Sequence, residues 1–200
     1  MAWAIVALAS MPLAMLAVTL ALMSMGRLAV DIGWGRRVRA LGPQVVRINA
    51  PRETVFELVG VPYLSPNPPR ELRSKVEVLE RGTDMVVAAH RTKVGRLTTV
   101  TVESVTFSRP DEIAFRLLRG PVPFVVEWFR LRLVDEGRAT ELEYSGQLGT
   151  DLWAVGARWG DLVAGHWERA VADALASLKT SAEDAAARAE TRPARGTRPG

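Results

Sequence analysis

The stretch Gln44 to Val59, QVVRINAPRETVFELV, decides how the rest of the chain reads. Val45, Val46 and Ile48 open a strand that ends at Asn49, and Ala50-Pro51 turns it directly into a helical pattern. Pro51 suits the first turn of a helix, where its missing N–H costs little, and Val55, Phe56, Leu58 and Val59 supply an apolar face. Upstream, Leu41-Gly42-Pro43 breaks the chain before the strand. Downstream, Val61 to Arg70, VPYLSPNPPR, carries four prolines and reads as a rigid loop with at most a turn of helix, a rim for whatever the strands enclose.

Strand signals then recur at short intervals: Lys75 to Glu80, Met85 to Lys93, Leu97 to Phe107, Glu112 to Leu118, Val125 to Val134 and Thr140 to Leu148. Gly82, Gly95, Arg109-Pro110-Asp111, Gly120-Pro121-Val122-Pro123 and Glu136-Gly137 separate them. Valine, threonine and aromatic enrichment with tight connections predicts an antiparallel meander of about seven strands, the first included. Alternation puts Ile113, Phe115 and Leu117 on one face, with Phe129, Leu131 and Leu133 and then Leu142 and Tyr144 sharing it. Arg130 and Arg132 fall opposite, where they can meet Glu141 and Glu143 across strands.

A single long helix closes the domain, capped by Thr150 or Asp151 and continuing to about Leu178, with the alanine-rich run from Ser181 either prolonging it or belonging to the tail. Trp153, Gly156, Gly160, Val163, Trp167, Val171, Ala174 and Leu178 recur every three or four residues and form the stripe that faces the sheet. The expected class is α+β, a curved antiparallel sheet around this C-terminal helix.

From Ala2 to Gly26 there is no charged residue, enough at ~20 residues per hydrocarbon thickness for one transmembrane helix, with Pro12 tolerated inside it. A cleaved signal is the competing reading, but no Lys or Arg precedes the apolar core, which is also long. Arg27, Arg36, Arg37 and Arg39 follow the span, so the positive-inside rule places the folded domain in the cytoplasm. Trp34 and these arginines either sit against headgroups or only fix topology. The expected organisation is a membrane anchor over 1–26, a basic linker over 27–43, the domain over 44–180 and a disordered tail over 181–200.

About 48% apolar residues suffices for a core, and a net charge of +4 spread along the chain makes no basic stripe, so nucleic acid is not an expected partner. The absence of cysteine removes disulfides and thiolate metal sites. No nucleophile triad, paired-histidine motif, carboxylate cluster or phosphate loop appears, so neither a metal nor another cofactor is expected.

The motif RINAPRETVFELV, the strand meander and the helix LWAVGARWGDLVAGHWERAVADALASLK together resemble the SRPBCC superfamily, the START and Bet v 1-like helix-grip fold, in its polyketide cyclase and lipid-transport branch. The resemblance covers Gln44 to about Thr180. It implies a hydrophobic cavity between sheet and last helix, lined by Phe115, Leu117, Phe129, Leu131, Leu142, Tyr144, Trp153, Gly156, Gly160, Val163 and Trp167. Gly156 and Gly160 either open volume there or let the helix approach the sheet closely. Glu127 shares parity with Phe129 and points inward or is solvated at its strand end. Tyr144 orients a ligand or fills the core, the register of His90 is open, and His166 falls at the helix flank. The leading expectation is a membrane-anchored protein that binds a lipid or polyketide-like molecule without chemistry. The alternatives are a cyclase, aromatase or dehydratase in which Tyr144, Glu127 or His90 supplies acid or base, and a protein-interaction module.

Overall fold

The structure is a computed structural model that describes residues 2–25, 27–28, 30–94 and 97–191, with side chains described for 11–23, 25, 27–28, 30–93 and 98–191. Its elements in chain order are α1 (Ala2–Ser24), β1 (Arg37–Ile48), α2 (Arg52–Leu64), α3 (Arg70–Lys75), β2 (Val76–Arg81), β3 (Met85–Val94), β4 (Leu97–Ser108), β5 (Glu112–Arg119), β6 (Phe124–Val134), β7 (Ala139–Thr150) and α4 (Trp153–Glu190). The seven strands form one antiparallel sheet in the order β1-β7-β6-β5-β4-β3-β2. Short connections between successive strands give the hairpin steps, and the first strand returns beside the last.

Three boundaries move relative to the sequence reading, the first two because tertiary contact outweighs a local breaker. β1 begins at Arg37 rather than Val45, since pairing with β7 runs from Arg37↔Thr150 to Ile48↔Thr140 and absorbs Gly42-Pro43 as a register shift between Leu41 and Gln44. At that shift Gly42 has φ +73°, and a Cβ there would lie 2.8 Å from the Tyr144 carbonyl oxygen, so glycine alone fits. α2 continues through Pro62 to Leu64 and buries Val55, Phe56, Gly60 and Tyr63. α4 runs to Glu190, twelve residues past Leu178; the part of the expected tail over 192–200 lies outside the described residues. Neither Thr150 nor Asp151 caps α4 through its side chain; Leu152 holds that position in a left-handed conformation.

The expected transmembrane anchor is corrected. Among the described residues no helix is long and apolar enough to cross a membrane. α1 lies against β4. The cytoplasmic localisation, the single-pass topology and the membrane as a partner all rested on that span and fall with it. The segment after α1 is instead fastened to the start of α4: Asp151 accepts hydrogen bonds from the Ile32 and Gly33 amides and from Arg36, and Trp34 packs edge-on against Trp153 at 4.8 Å.

The sheet is also more open than expected. β1 and β2 are unpaired edges at opposite ends, so the sheet neither closes nor wraps fully around the helix. α4 packs against β1, β7 and α2. The core lies between them, built from Ile48, Val55, Phe56, Val105, Ile113, Leu142 and Leu148, with Ala164, Leu175 and Ala182 contributed by α4. Because α4 crosses only one end of the sheet, the inner faces of β3, β4 and β5 are left to form a cleft.

Candidate active site

That cleft is a cavity of about 450 Å³. Its sheet wall carries His90 and Thr92 of β3, Thr99, Thr101 and Glu103 of β4, Phe115 of β5, and Glu127 and Phe129 of β6, while Tyr63 enters from α2. The opposite wall is one face of α4, with Trp159, Val163, Trp167 and Val171 inside and Leu162, His166, Ala170 and Ala174 exposed along the opening.

Two polar clusters interrupt this apolar lining. The first centres on Glu127, only 5% exposed. Inward alternation of Val125, Glu127, Phe129 and Leu131 brings the carboxyl under α4. Its cross-strand partner is Gly146, where a Cβ would stand 2.7 Å from the Val126 carbonyl oxygen and 3.1 Å from Glu127 Cγ, so the glycine makes the room the carboxyl occupies. The Tyr144 hydroxyl donates to Glu127 Oε1 at 2.5 Å, and Trp167 Nε1 donates to the same oxygen at 2.6 Å. Oε2 has no hydrogen-bond partner among the described residues and is the oxygen left for the cleft. Burial, followed by the negative charge of Glu103, raises the ionisation of Glu127 to about 7, against the opposing pull of Tyr144, Trp167 and His90. At neutral pH the group therefore exists in both forms, the condition for taking a proton and giving it back.

The second cluster is a chain across β3 and β4. Thr101 Oγ1 donates to Glu103 Oε1 at 2.7 Å, His90 Nδ1 pairs with Glu103 Oε2 at 2.8 Å, and His90 Nε2 lies 3.0 Å from the Tyr63 hydroxyl. Burial would neutralise both partners of the pair, pushing His90 down and Glu103 up. Their mutual charge and hydrogen bonding outweigh it, so His90 ends above and Glu103 below its ordinary value, an imidazolium–carboxylate pair. Burial, then the charges of Glu103 and Glu127, drives the Tyr63 phenol far upward, so it stays protonated. Tyr144 is likewise held as a phenol by burial and by Glu127.

Of the residues expected at a ligand cavity, Phe115, Phe129, Val163 and Trp167 line it, and Tyr144 reaches it through Glu127. Leu117, Leu131 and Leu142 are buried in the core but are not lining residues. Trp153 stands 47% exposed beside Trp34, away from the cleft. The two helix glycines serve close approach: a Cβ on Gly160 would meet Thr150 Cγ2 at 3.0 Å and one on Gly156 would collide with the Asp151 backbone. Among the candidate acids and bases, Glu127 and His90 face the cleft while Tyr144 supports Glu127 from behind. His166 lies on the cleft's rim, its Nδ1 bonded to the Leu162 carbonyl at 2.8 Å.

Tyr63, Thr101 and Glu103 were missed. Glu103 shares alternation parity with Val105 and Phe107, a signal present in the sequence, and Tyr63 continues the spacing of Val55 and Val59. The proline-rich composition around Tyr63 masked that spacing. Among the described residues no group of three or more His, Asp or Glu side chains converges as a metal site.

A family model described as polyketide cyclase / dehydrase and lipid transport matches residues 43–183. No curated protein matches the sequence. Among solved structures, the Zhui aromatase/cyclase from a Streptomyces species aligns with TM-score 0.59 and 21% identity, covering 81% of this chain and 99% of the other. A protein from Thermus thermophilus aligns with TM-score 0.55 and 17% identity, covering 74% and 99%. The di-domain ARO/CYC BexL aligns with TM-score 0.51 and 18% identity, covering 80% of this chain and 52% of its own. At these identities the likeness is one of fold. The expectation of a membrane-anchored lipid or polyketide carrier is corrected: among the described residues no helix is long and apolar enough to cross a membrane. By the family match over residues 43–183, borne on a helix-grip architecture, the chain belongs to the polyketide cyclase / dehydrase and lipid transport family.

Proposed function

We propose that the protein is an acid–base enzyme of the cyclase, aromatase or dehydratase kind, acting on a hydrophobic, polyketide-like substrate held between the sheet and α4. The observation that carries this reading is Glu127: a carboxyl buried in an apolar cleft, ionising at about 7, with Oε1 fixed by two donors and Oε2 left open. A purely binding cavity gains nothing from such a group, whose burial costs several kcal/mol in its charged form. In a ring closure, Oε2 takes the proton from a carbon beside a carbonyl. The electron pair of that C–H bond forms the new C–C bond to a second carbonyl carbon, and the carboxyl returns its proton to the oxygen of that carbonyl. Loss of the resulting hydroxyl with a neighbouring hydrogen releases water and moves the ring toward aromaticity. No electrons enter or leave, so no redox partner is needed. Phe115 and Phe129, 5.5 Å apart and edge-on to each other, provide aromatic walls for a flat product.

The test is to incubate the full chain with a linear poly-β-ketone thioester and follow ring formation by absorbance and product mass. Wild-type protein accelerates cyclisation, and Glu127→Gln, which keeps the shape and the Oε1 acceptor, loses ~10²–10⁴-fold in kcat with ligand affinity retained. Equal turnover by wild type and variant, or none by the wild type, would sink the proposal.

A further inference from the structure

The Glu103–His90–Tyr63 chain is not used by the step above, and the fold does not require it. The same inner sheet face is filled elsewhere by Val105, Phe107 and Ile113. Burying a carboxylate, an imidazole and two hydroxyls in their place is costly unless every member is satisfied. All but one are satisfied inside the protein. Glu103, as the carboxylate, accepts from Thr101 and His90. His90 Nδ1 stands 2.8 Å from Glu103 Oε2, and the charge and hydrogen bonding of this pair outweigh burial and keep the ring protonated; an imidazolium donates through both nitrogens, so the Nε2–H, 3.0 Å from the Tyr63 oxygen, is given to it. The Tyr63 hydroxyl proton then has no acceptor among the described residues, while Tyr63 itself lines the cleft.

From this geometry we infer that the Tyr63 hydroxyl is a second catalytic group, an oxyanion donor that holds the carbonyl oxygen of an enolisable ketone whose adjacent C–H faces Glu127. The inference rests on the acid–base reading of Glu127 and deepens it by fixing the chemistry of the substrate's reacting end. His90, Glu103 and Thr101 are positioning residues: they aim the hydroxyl and place a cation behind it, which strengthens it as a donor. The phenol remains protonated throughout. When Glu127 Oε2 takes the proton, the C–H pair becomes a C=C bond and the carbonyl pair moves onto oxygen, where Tyr63 stabilises it by hydrogen bonding without transferring its own proton. Glu127 stands on β6 and Glu103 on β4, two strand spacings or ~10 Å apart at the backbone. Phe115 lies between them, 5.9 Å from the Tyr63 ring. The reacting end is therefore a neutral ketone on an apolar frame; a carboxylate there would meet Glu103 and Glu127.

Two probes test this without the natural substrate. In heavy water, the full chain should speed deuterium uptake into the methyl group of acetophenone, with Glu127→Gln abolishing the effect and Tyr63→Phe reducing it ~10²-fold. The second probe is 4-nitrophenol, whose phenolate absorbs where the phenol does not. Tyr63→Phe should weaken phenolate binding ~10-fold or more, His90→Gln should do so less, and binding of nitrobenzene, the same shape without the oxygen, should change by no more than about twofold. A merely structural Tyr63 would move nitrobenzene and nitrophenolate together, and that result overturns the inference. Exchange that depends on Glu127 but not on Tyr63 also overturns it while leaving Glu127 as the base. Absence of exchange in the wild type, with Tyr63-dependent phenolate binding intact, would remove the base reading and keep the oxyanion donor.

Discussion

The raised ionisation of Glu127 has a thermodynamic signature that needs no substrate. A carboxyl that ionises at 4.5 in the unfolded chain and at about 7 in the folded one holds more protons folded than unfolded between those values, so stability falls as pH rises through that window. Full ionisation costs ~3 kcal/mol at about 1.4 kcal/mol per pH unit of displacement, and the part lost between pH 5 and pH 8 is about 2.5 kcal/mol. Little solvent screening discounts this, since the residue is 5% exposed. Glu127→Gln removes the titration but retains the acceptor that Tyr144 and Trp167 use. Urea unfolding of wild type and variant at pH 5 and pH 8 measures the difference; the His90–Glu103 pair titrates in both proteins and largely cancels. The variant should gain about 2.5 kcal/mol on the wild type between the two pH values. A constant difference across that range would show that Glu127 ionises as an ordinary surface carboxyl, and the acid–base argument would lose its foundation.

Tyr144→Phe removes a donor that favours the Glu127 carboxylate, so ionisation should move above about 7. A hydrogen bond to a charged group worth ~1.5–3 kcal/mol moves the inflection of the pH–rate profile upward by ~1–2 pH units, and an unmoved inflection would refute the pairing. Gly42→Ala forces a side chain onto a backbone at φ +73° and within 2.8 Å of the Tyr144 carbonyl. It should lower stability by ~1–3 kcal/mol in thermal or denaturant unfolding, and a neutral effect would mean that the β1 register shift relaxes freely.

Much of the fold was legible because it depends on local periodicities. Alternation in Glu112–Arg119, Phe124–Val134 and Ala139–Thr150 identified those strands and their inner faces, and the spacing of Val163, Trp167 and Val171 identified the inward stripe of α4. The same stripe misled at Trp153, Gly156 and Gly160, because a helix longer than the cavity uses one face for two tasks: its first turns pack on Thr150 and Asp151, and only later turns reach the cleft. The apolar N-terminal segment misled in another way: among the described residues no helix is long and apolar enough to cross a membrane.

The candidate site was legible in fragments. Glu127 and Tyr144 could be placed on one face by parity, but nothing linear says that Gly146 clears space for the carboxyl, or that Trp167 reaches it from a helix forty residues later in the chain. His90 and Glu103 lie on neighbouring strands in a register that only pairing fixes, His90 opposite Thr101. Tyr63 comes from a helix through which the prolines hide the pattern.

By itself, then, the sequence determined the order of strands and helices, the inner face of the later strands and the kinship with helix-grip proteins, all of which follow from side-chain periodicity along one element at a time. The tertiary structure alone decided that the sheet stays open, that α4 covers only one end of it, and that an isolated carboxyl and a histidine pair share one cleft. Ionisation and hydrogen bonding depend on groups brought together from distant parts of the chain in a space from which water is largely excluded, and no local pattern records that meeting.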